Sequence, residues 1–388
     1  MPRQSAYGRA PSIPAVHVGL NLVFLVPGET GGMETHAREL IPRLAGLDGV
    51  RVTAFVNREA AAAGGPWSEV VPMEVVPVRA RNRLEWVRGE QQHLPRMADR
   101  AGCDVVHSLA STAPLHGRAR RVTTIHDLNY KLVPDTHFGL RGVGMRVLVP
   151  AAARRSDRVM VDAASTKRDL QHHLGTPPDM IDVVPLGVSS PPAVPLADEA
   201  ALRARLGLDA SPLVLSVSAK RPHKNLVRLL EALAGIAVER RPALVVPGYP
   251  TPHEEELRQR AEALGIAGQV VFPAWVSAAE LEALYAMATV VVVPSLYEGF
   301  GLPVLEAMAR GVPVATSNRS SLPEVAGDAA LLFDPEDVGA IRAAIERLLG
   351  DEAERGRLRE AGLVRAREFT WERTARLTLA SYERALAD

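Results

Sequence analysis

Two carboxylates, Glu298 and Glu306, stand with seven residues between them in PSLYEGFGLPVLEAMARGVPV, residues 294–314. Glycine, proline and apolar residues fill the gap, so the pair itself carries the polar chemistry of the stretch. An apolar run over 289–295 reads as a strand, and the following pattern predicts a helix over 303–309, stopped by Gly311. Pro303 suits the first helical position, where its missing N–H would have been unpaired anyway. Glu298 then lies in the strand-to-helix loop and Glu306 in the first turns of the helix. Gly299 and Gly301 let the backbone approach a ligand closely. Free N–H groups near Gly301, Leu302 and Val304, with the positive end of the helix dipole, make an anion site, and Phe300 shares that loop. A pyrophosphate is its natural occupant. Carboxylates touching pyrophosphate would be repelled, so the glutamates are expected to accept hydrogen bonds from hydroxyls on either side. A nucleotide-sugar has ribose hydroxyls at one end, sugar hydroxyls at the other and pyrophosphate between. The plain alternative makes Glu298 a solvated loop residue and Glu306 a charge that favours the helix dipole. The pair alone does not separate these readings.

Elements of regular spacing must position such a pair. The chain has 388 residues, too many for one ordinary core, so two domains are expected. Short β-branched runs alternate with helical patterns in both halves, the mark of βα units and parallel sheets. Strands are predicted over 16–26, 51–57, 73–78, 104–109, 121–127, 158–163 and 181–187 in the first half. In the second they fall over 213–219, 243–248, 269–274, 289–295, 313–317 and 330–334. A helix fits 33–47, and Ser277 with Glu280 forms a capping box at a helix start. From about residue 337 the chain is helical and amphipathic, with a break near 370. The proline-rich stretch 189–200 serves as the linker. The expected division is a loose tail over 1–15, a domain over 16–188, the linker, a domain over 201–369, and a terminal helix over 370–388. In doubly wound sheets, ligands sit where strands lead into helices at their carboxyl ends.

Composition narrows the function. Lys plus Arg equals Asp plus Glu, 45 against 45, which argues against a nucleic-acid binder. The single cysteine, Cys103, cannot close an internal disulfide and fits a reducing cytoplasm. No apolar run approaches the length of a membrane span, and the first residues do not form a signal peptide. Two basic stretches, 79–93 and 131–146, suit an anionic acceptor or peripheral contact with a phospholipid surface; solvated faces are the commoner explanation of such runs.

Three further loops stand at strand ends. KRPHKN, 220–225, carries Lys220, Arg221, His223 and Lys224, a set able to hold a diphosphate and offset the charge on it as it leaves. Asn225 is a good helix cap there. A solvated basic loop is the alternative. PGETGGMETH, 27–36, places Gly31 and Gly32 before a helix, where their N–H groups could meet a phosphate or sugar; on local evidence alone a tight turn needing glycine is the favoured explanation. TTIHDLNY, 123–130, ends a strand with His126 and Asp127, and a histidine there can donate to a sugar hydroxyl or move a proton. More often such a histidine is a satisfied core residue. No DxD pair and no zinc-spaced cysteine–histidine cluster occurs, so no metal and no cofactor beyond the co-substrate is expected.

The stretch YEGFGLPVLEAMARGVPVATSNRSSLPEVAGDAALLFDP resembles the donor-binding signature of the retaining glycosyltransferases of family 4, built on the two-domain GT-B fold. Glu298 and Glu306 have the family's spacing, and Gly301, Pro303, Glu324 and Asp334 stand in typical places. The resemblance runs from Val16 to the end of the chain. It implies that Glu298 contacts the transferred sugar and Glu306 the ribose, and that His126 touches the donor sugar. It implies further that the Gly31–Gly32 loop closes over the donor, and that the loop holding Trp275 covers the base. The final helix would cross back onto the first domain. The family's arginine five residues before Lys224 is replaced by Ala219, which leaves Lys220 or Arg221 as the second cation.

The expected activity is metal-independent, retaining transfer of a hexosyl group from a nucleotide-sugar, of the GDP-mannose kind, to a saccharide, lipid-linked or other hydroxyl-bearing acceptor. Polysaccharide biosynthesis in the cytoplasm, or at the inner face of the membrane, is the expected setting. A phosphorylase or epimerase of the same fold is disfavoured, lacking a pyridoxal-phosphate lysine context or this glutamate pair. A non-catalytic nucleotide-sugar-binding scaffold is the rival from another class.

Overall fold

The computed structural model describes residues 16–133, 139–191, 196–273 and 276–387. A seven-stranded parallel sheet holds β1 (Val16–Leu22), β2 (Val50–Val56), β3 (Met73–Val75), β4 (Val105–Ser108), β5 (Arg120–Thr124), β6 (Arg158–Val161) and β7 (Ile181–Val183), in the order β3-β2-β1-β4-β5-β6-β7. A six-stranded parallel sheet holds β8 (Leu213–Leu215), β9 (Ala243–Val245), β10 (Val270–Val271), β11 (Ala288–Val293), β12 (Val314–Ser317) and β13 (Leu331–Phe333), in the order β10-β9-β8-β11-β12-β13. Every predicted strand has its counterpart, mostly shorter at the carboxyl end. β11 stops before Pro294, which has no N–H to donate to the ladder. Past β8 the pairing loosens but persists, with Ser216 N–H donating to Val245 O and Ser218 N–H to Pro247 O.

The order of strands reverses between β1 and β4 in one sheet and between β8 and β11 in the other, the places where doubly wound sheets open a crevice. Alternate residues of β11 serve opposite faces, as a period of two requires. Val291 and Val293 pack with Val304, Leu305 and Met308 of the helix Leu302–Ala309. Val290 and Val292 pack with Leu229, Leu230, Ile341 and Ile345 on the other side. Burial on both faces is why the strand reads as an unbroken valine run rather than an alternating one.

By packing, the chain divides into two units. Among the described residues, one unit lies within 16–125, 148–160 and 375–387; the other lies within 126–147 and 161–374. The helix Trp371–Ala387 therefore passes from the second unit to the first at Thr374.

Several local details differ from expectation. Gly301 is the cap and Leu302 the first helical residue, so Pro303 takes the second position. Asn225 does not cap with its side chain: it adopts φ 59° and its amide donates to Pro294 O and Pro335 O. The amphipathic tail is also interrupted at Asp351, whose side chain caps the helix Glu352–Ala366. Within the linker stretch the helix Glu199–Leu206 already begins, capped by Asp198. Trp275 and the tail over 1–15 lie outside the described residues. Among those described, no helix is long and apolar enough to cross a membrane.

Candidate functional site

The glycine-bearing loop between β11 and the helix Leu302–Ala309 is held by serine hydroxyls. Ser320 donates to Glu298 O at 2.6 Å, and Ser321 Oγ lies 2.9 Å from Glu298 O and 2.7 Å from Phe300 O. Gly301 has φ 115°, a left-handed backbone that favours glycine. Gly299 is demanded by space: a Cβ there would fall 2.3 Å from His126 O. These constraints place Glu298 at the loop's centre. Phe300 is buried with its ring edge-on to Phe369 at 5.8 Å, so its side chain belongs to the core. The predicted free N–H of Val304 is engaged, donating to Gly301 O at 3.0 Å. The amides of Gly301 and Leu302 have no acceptor among the described residues. They remain at the amino end of an eight-residue helix.

Lys224 reaches the same point from the turn after β8. Its Nζ lies 2.7 Å from Glu298 Oε1 and 2.9 Å from Oε2, and Ser295 Oγ donates to Oε1 at 2.7 Å. Both side chains are largely enclosed, 17 % and 12 % exposed. Burial alone would raise the Glu298 carboxyl; the charges of Lys224 and His223 and the bonds from Lys224 and Ser295 outweigh it and hold the group below its ordinary range. Glu298 is an anion with its cation in hand.

Lys220 departs from expectation. It is fully buried, and its Nζ donates to Gly248 O at 2.5 Å and Pro273 O at 3.3 Å, with Glu254 Oε2 at 3.7 Å. Desolvation lowers its pKa. Pointed into the protein, it ties the loops after β8, β9 and β10 together and is not available to a diphosphate. Arg221, half-buried, has no side-chain partner among the described residues, unlike Lys220 and Lys224 of the same loop.

Glu306 is enclosed as well, on a different set of partners. Tyr285 donates to its Oε2 at 3.0 Å, and Arg310 stacks 4.7 Å over the Tyr285 ring while pairing with Glu282 at 2.5 and 2.8 Å. Here burial wins, and the Glu306 carboxyl is raised despite Arg310 and the Tyr285 bond. The two glutamates of one motif are thus driven in opposite directions.

His126 Nδ1 lies 2.7 Å from Asp162 Oδ2. Asp127 is raised by burial, with Glu298 adding to the rise and Lys224 opposing it, so it stands in the field of the Glu298–Lys224 pair. Asn129 donates to it from its backbone and its side chain, both at 3.1 Å. His126, Asp127, Lys224, Glu298 and Glu306 all belong to the second unit; Gly31 and Gly32 belong to the first. Gly31, at φ 57°, caps the helix Gly32–Ala45, and a Cβ at Gly31 would meet nothing within 4 Å. Backbone conformation rather than crowding asks for glycine there.

Sequence reasoning missed Ser295, Ser320, Ser321, Tyr285 and Asp162. Ser295 had a signal, standing three residues before Glu298. Asp162 had one in the register: Val122 pairs with Arg158 and Thr124 with Met160, so the next step along β5 and β6 brings 126 beside 162. Tyr285, 21 residues before Glu306, had none.

Residues 30–190 match the family model described as Glycosyltransferase Family 4, and residues 198–365 match Glycosyl transferases group 1. The chain is 34% identical over 272 residues to O-antigen chain mannosyltransferase B of Escherichia coli, covering 69% of this chain and 71% of that one. It is 31% identical over 415 residues to D-inositol 3-phosphate glycosyltransferase of Nocardioides sp., covering 93% of this chain and 87% of that protein. Sucrose-phosphate synthase from Thermosynechococcus elongatus shares the fold, with a TM-score of 0.77 over 96% of this chain and 99% of that chain at 22% identity. With two doubly wound parallel sheets and a Glu298–Glu306 motif at the second sheet's switch point, the chain belongs to glycosyltransferase family 4 and is a glycosyltransferase of the GT-B fold.

Proposed function

We propose that this glycosyltransferase moves a hexosyl group, from GDP-mannose or a similar nucleotide-sugar, to a hydroxyl of a saccharide or lipid-linked acceptor with retention of configuration. The observation that carries this reading is the Lys224–Glu298 pair beside the amino end of the helix Leu302–Ala309, whose second turn carries Glu306. The diphosphate sits on the amides of Gly301 and Leu302 and on Lys224 and Arg221, where cations and a helix end offset its charge without a metal. Glu306 receives the ribose hydroxyls. Glu298 and His126 hold the sugar, and the incoming hydroxyls replace part of the Lys224–Glu298 bonding.

With Glu298 engaged by Lys224 and no other carboxylate assigned as a covalent nucleophile among the described residues, the acceptor oxygen attacks C1 on the face from which the diphosphate departs. The C1–O bond to phosphate breaks, and the acceptor proton goes to the leaving phosphate oxygen. Mannosyl donors are favoured by the name of the Escherichia coli relative. An acceptor of bacterial surface polysaccharide fits the same relative, and the reaction belongs in the cytoplasm, with the basic stretch 79–93 available for peripheral contact with the membrane's inner face.

The test is turnover of GDP-, UDP- and dTDP-hexoses by enzyme treated with chelator, with and without simple mannoside acceptors, followed by NMR of the product's anomeric proton. An α-linked product from an α-linked donor is expected. A β-linked product overturns retention, dependence on added metal overturns the charge assignment, and donor binding with neither hydrolysis nor transfer favours a scaffold.

A further inference from the structure

We infer that Tyr285 is a positioning residue for the donor's ribose: with Glu282 and Arg310 it holds the Glu306 carboxylate by one oxygen, Oε2, and leaves Oε1 for the ribose hydroxyls. The inference rests on the reading of Glu306 as the ribose contact.

Glu306 and Arg310 stand four residues apart at the end of one helix, the spacing at which glutamate and arginine ordinarily pair. Here their side chains do not. Glu282 takes Nε and Nη2 of Arg310 at 2.8 and 2.5 Å, and Nη1 donates to the backbone oxygen of Glu306 at 2.9 Å. Every guanidinium nitrogen is thus committed away from the Glu306 carboxylate. That carboxylate instead accepts from the Tyr285 hydroxyl at 3.0 Å through Oε2. Glu282 and Tyr285 share one face of the helix Ala278–Met287, at the spacing that makes side chains neighbours. One face therefore supplies both the anion that occupies Arg310 and the neutral donor that holds Glu306. Glu282 and Tyr285 are 7% and 1% exposed, and Arg310 lies 4.7 Å over the Tyr285 ring, which fixes the hydroxyl in turn. That hydroxyl makes no other hydrogen bond among the described residues, so its removal is felt at Glu306. Glu306 Oε1 has no partner among the described residues, and the residue is only half-buried. A carboxylate held at one oxygen keeps the other as an acceptor for a hydroxyl, whereas bidentate pairing with Arg310 would use both.

The experiment titrates the full chain with GDP and UDP and with their 2′,3′-dideoxy counterparts, in wild type, Tyr285→Phe, Glu306→Gln, the double variant and Glu282→Gln. Tyr285→Phe keeps the ring beneath Arg310 and removes only the hydroxyl. Wild type is expected to bind the better of the two nucleotides about tenfold more tightly than its dideoxy counterpart. Tyr285→Phe is expected to lose about three- to tenfold in affinity for the ribonucleotide while dideoxynucleotide binding stays unchanged. The double variant should bind no more weakly than Glu306→Gln alone, because the hydroxyl acts through that carboxylate. Glu282→Gln tests the same set without touching the hydroxyl: it loosens Arg310, lets it turn to Glu306, and should lose the same preference. A merely structural role would weaken the ribonucleotide and the dideoxynucleotide alike. That result, additive losses in the double variant, or a ribose preference kept in Tyr285→Phe or Glu282→Gln but lost in Glu306→Gln, overturns the inference. Failure of the underlying reading looks different: Glu306→Gln would itself leave the wild-type preference in place.

Discussion

At the scale of single residues, one motif holds two glutamates in opposite electrostatic states. Glu298 is held below its ordinary value of 4.5 chiefly by Lys224, against its burial. Its contribution to stability is therefore present above that value and lost as pH falls through the lowered folded value. Glu306 is raised by burial, so its sign reverses: the stability it brings is present below 4.5 and lost as pH rises through the raised folded value. Charge-neutral substitutions should separate the two. Glu298→Gln leaves a largely enclosed Lys224 without its anion, and a bond to a charged partner is worth about 2 kcal/mol. Denaturant unfolding near pH 7 should show that loss, and, under the proposed roles of Glu298 and Lys224, kcat should fall about 10²-fold as the sugar and the leaving diphosphate lose their alignment. Glu306→Gln keeps an oxygen for the Tyr285 hydroxyl while removing a charge that burial disfavours. It is expected to leave stability at pH 8 unchanged or higher, and to raise the donor KM about tenfold through the proposed ribose contact, about 1.4 kcal/mol. A destabilised Glu306→Gln with unchanged KM would contradict this account.

At the scale of elements, the strands and the site loop were legible because each is a local statement. Thirteen apolar runs bounded by turn residues became thirteen strands, and the capping box at Ser277 closed as expected, with both reciprocal bonds formed. The direction of Lys220 was not legible. Five residues of sequence show a cluster of cations, whereas the carbonyls that draw Lys220 inward lie 28 and 53 residues away on other loops. This makes a distinction between two roles measurable. Lys220→Met leaves the carbonyls of Gly248 and Pro273 without that donor, so about 1–3 kcal/mol of stability should be lost. A phosphate-binding lysine would instead lower kcat with stability untouched. The loop glycines act through the same logic of approach. Gly299→Ala puts a methyl group 2.3 Å from His126 O, and the neighbour is backbone that cannot rotate away. A loss of about 1–3 kcal/mol is expected, with donor turnover reduced in step because Glu298 moves with the loop. Unfolding midpoints equal to wild type would mean that the loop yields more easily than its serine clamps imply.

At the scale of the whole molecule, chain order and packing divide the protein differently. Reading along the sequence sets a boundary in the proline-rich stretch 189–200, where composition changes. Packing assigns 126–147 and 161–188 to the same unit as the second half, through groups no sequence window shows together. Tyr297 donates to Asp169 at 2.8 Å and accepts from the Leu128 amide at 3.2 Å, and Glu324 holds the start of the helix Ala164–Leu174. The last helix follows the same principle. Its opening residues are fixed within the second unit, where Thr374 donates to Pro185 O at 2.7 Å and a Cβ on Gly187 would fall 2.3 Å from Trp371 N. Its later residues are fixed within the first, where buried Tyr382 lies 2.7 Å from His107 Nδ1 and His107 Nε2 lies 2.8 Å from Thr124 Oγ1. Tyr382→Phe preserves the ring and deletes only the hydroxyl, taking one bond from a fully buried imidazole, at a cost of about 1–2 kcal/mol. The residue is in the first unit and the Glu298 site in the second, so urea unfolding should show the loss while donor KM stays at the wild-type value. If Tyr382→Phe unfolds like wild type, the hydroxyl is not what secures the carboxyl-terminal half of the helix, and the ring's packing against His107, edge-on at 5.4 Å, must do so instead.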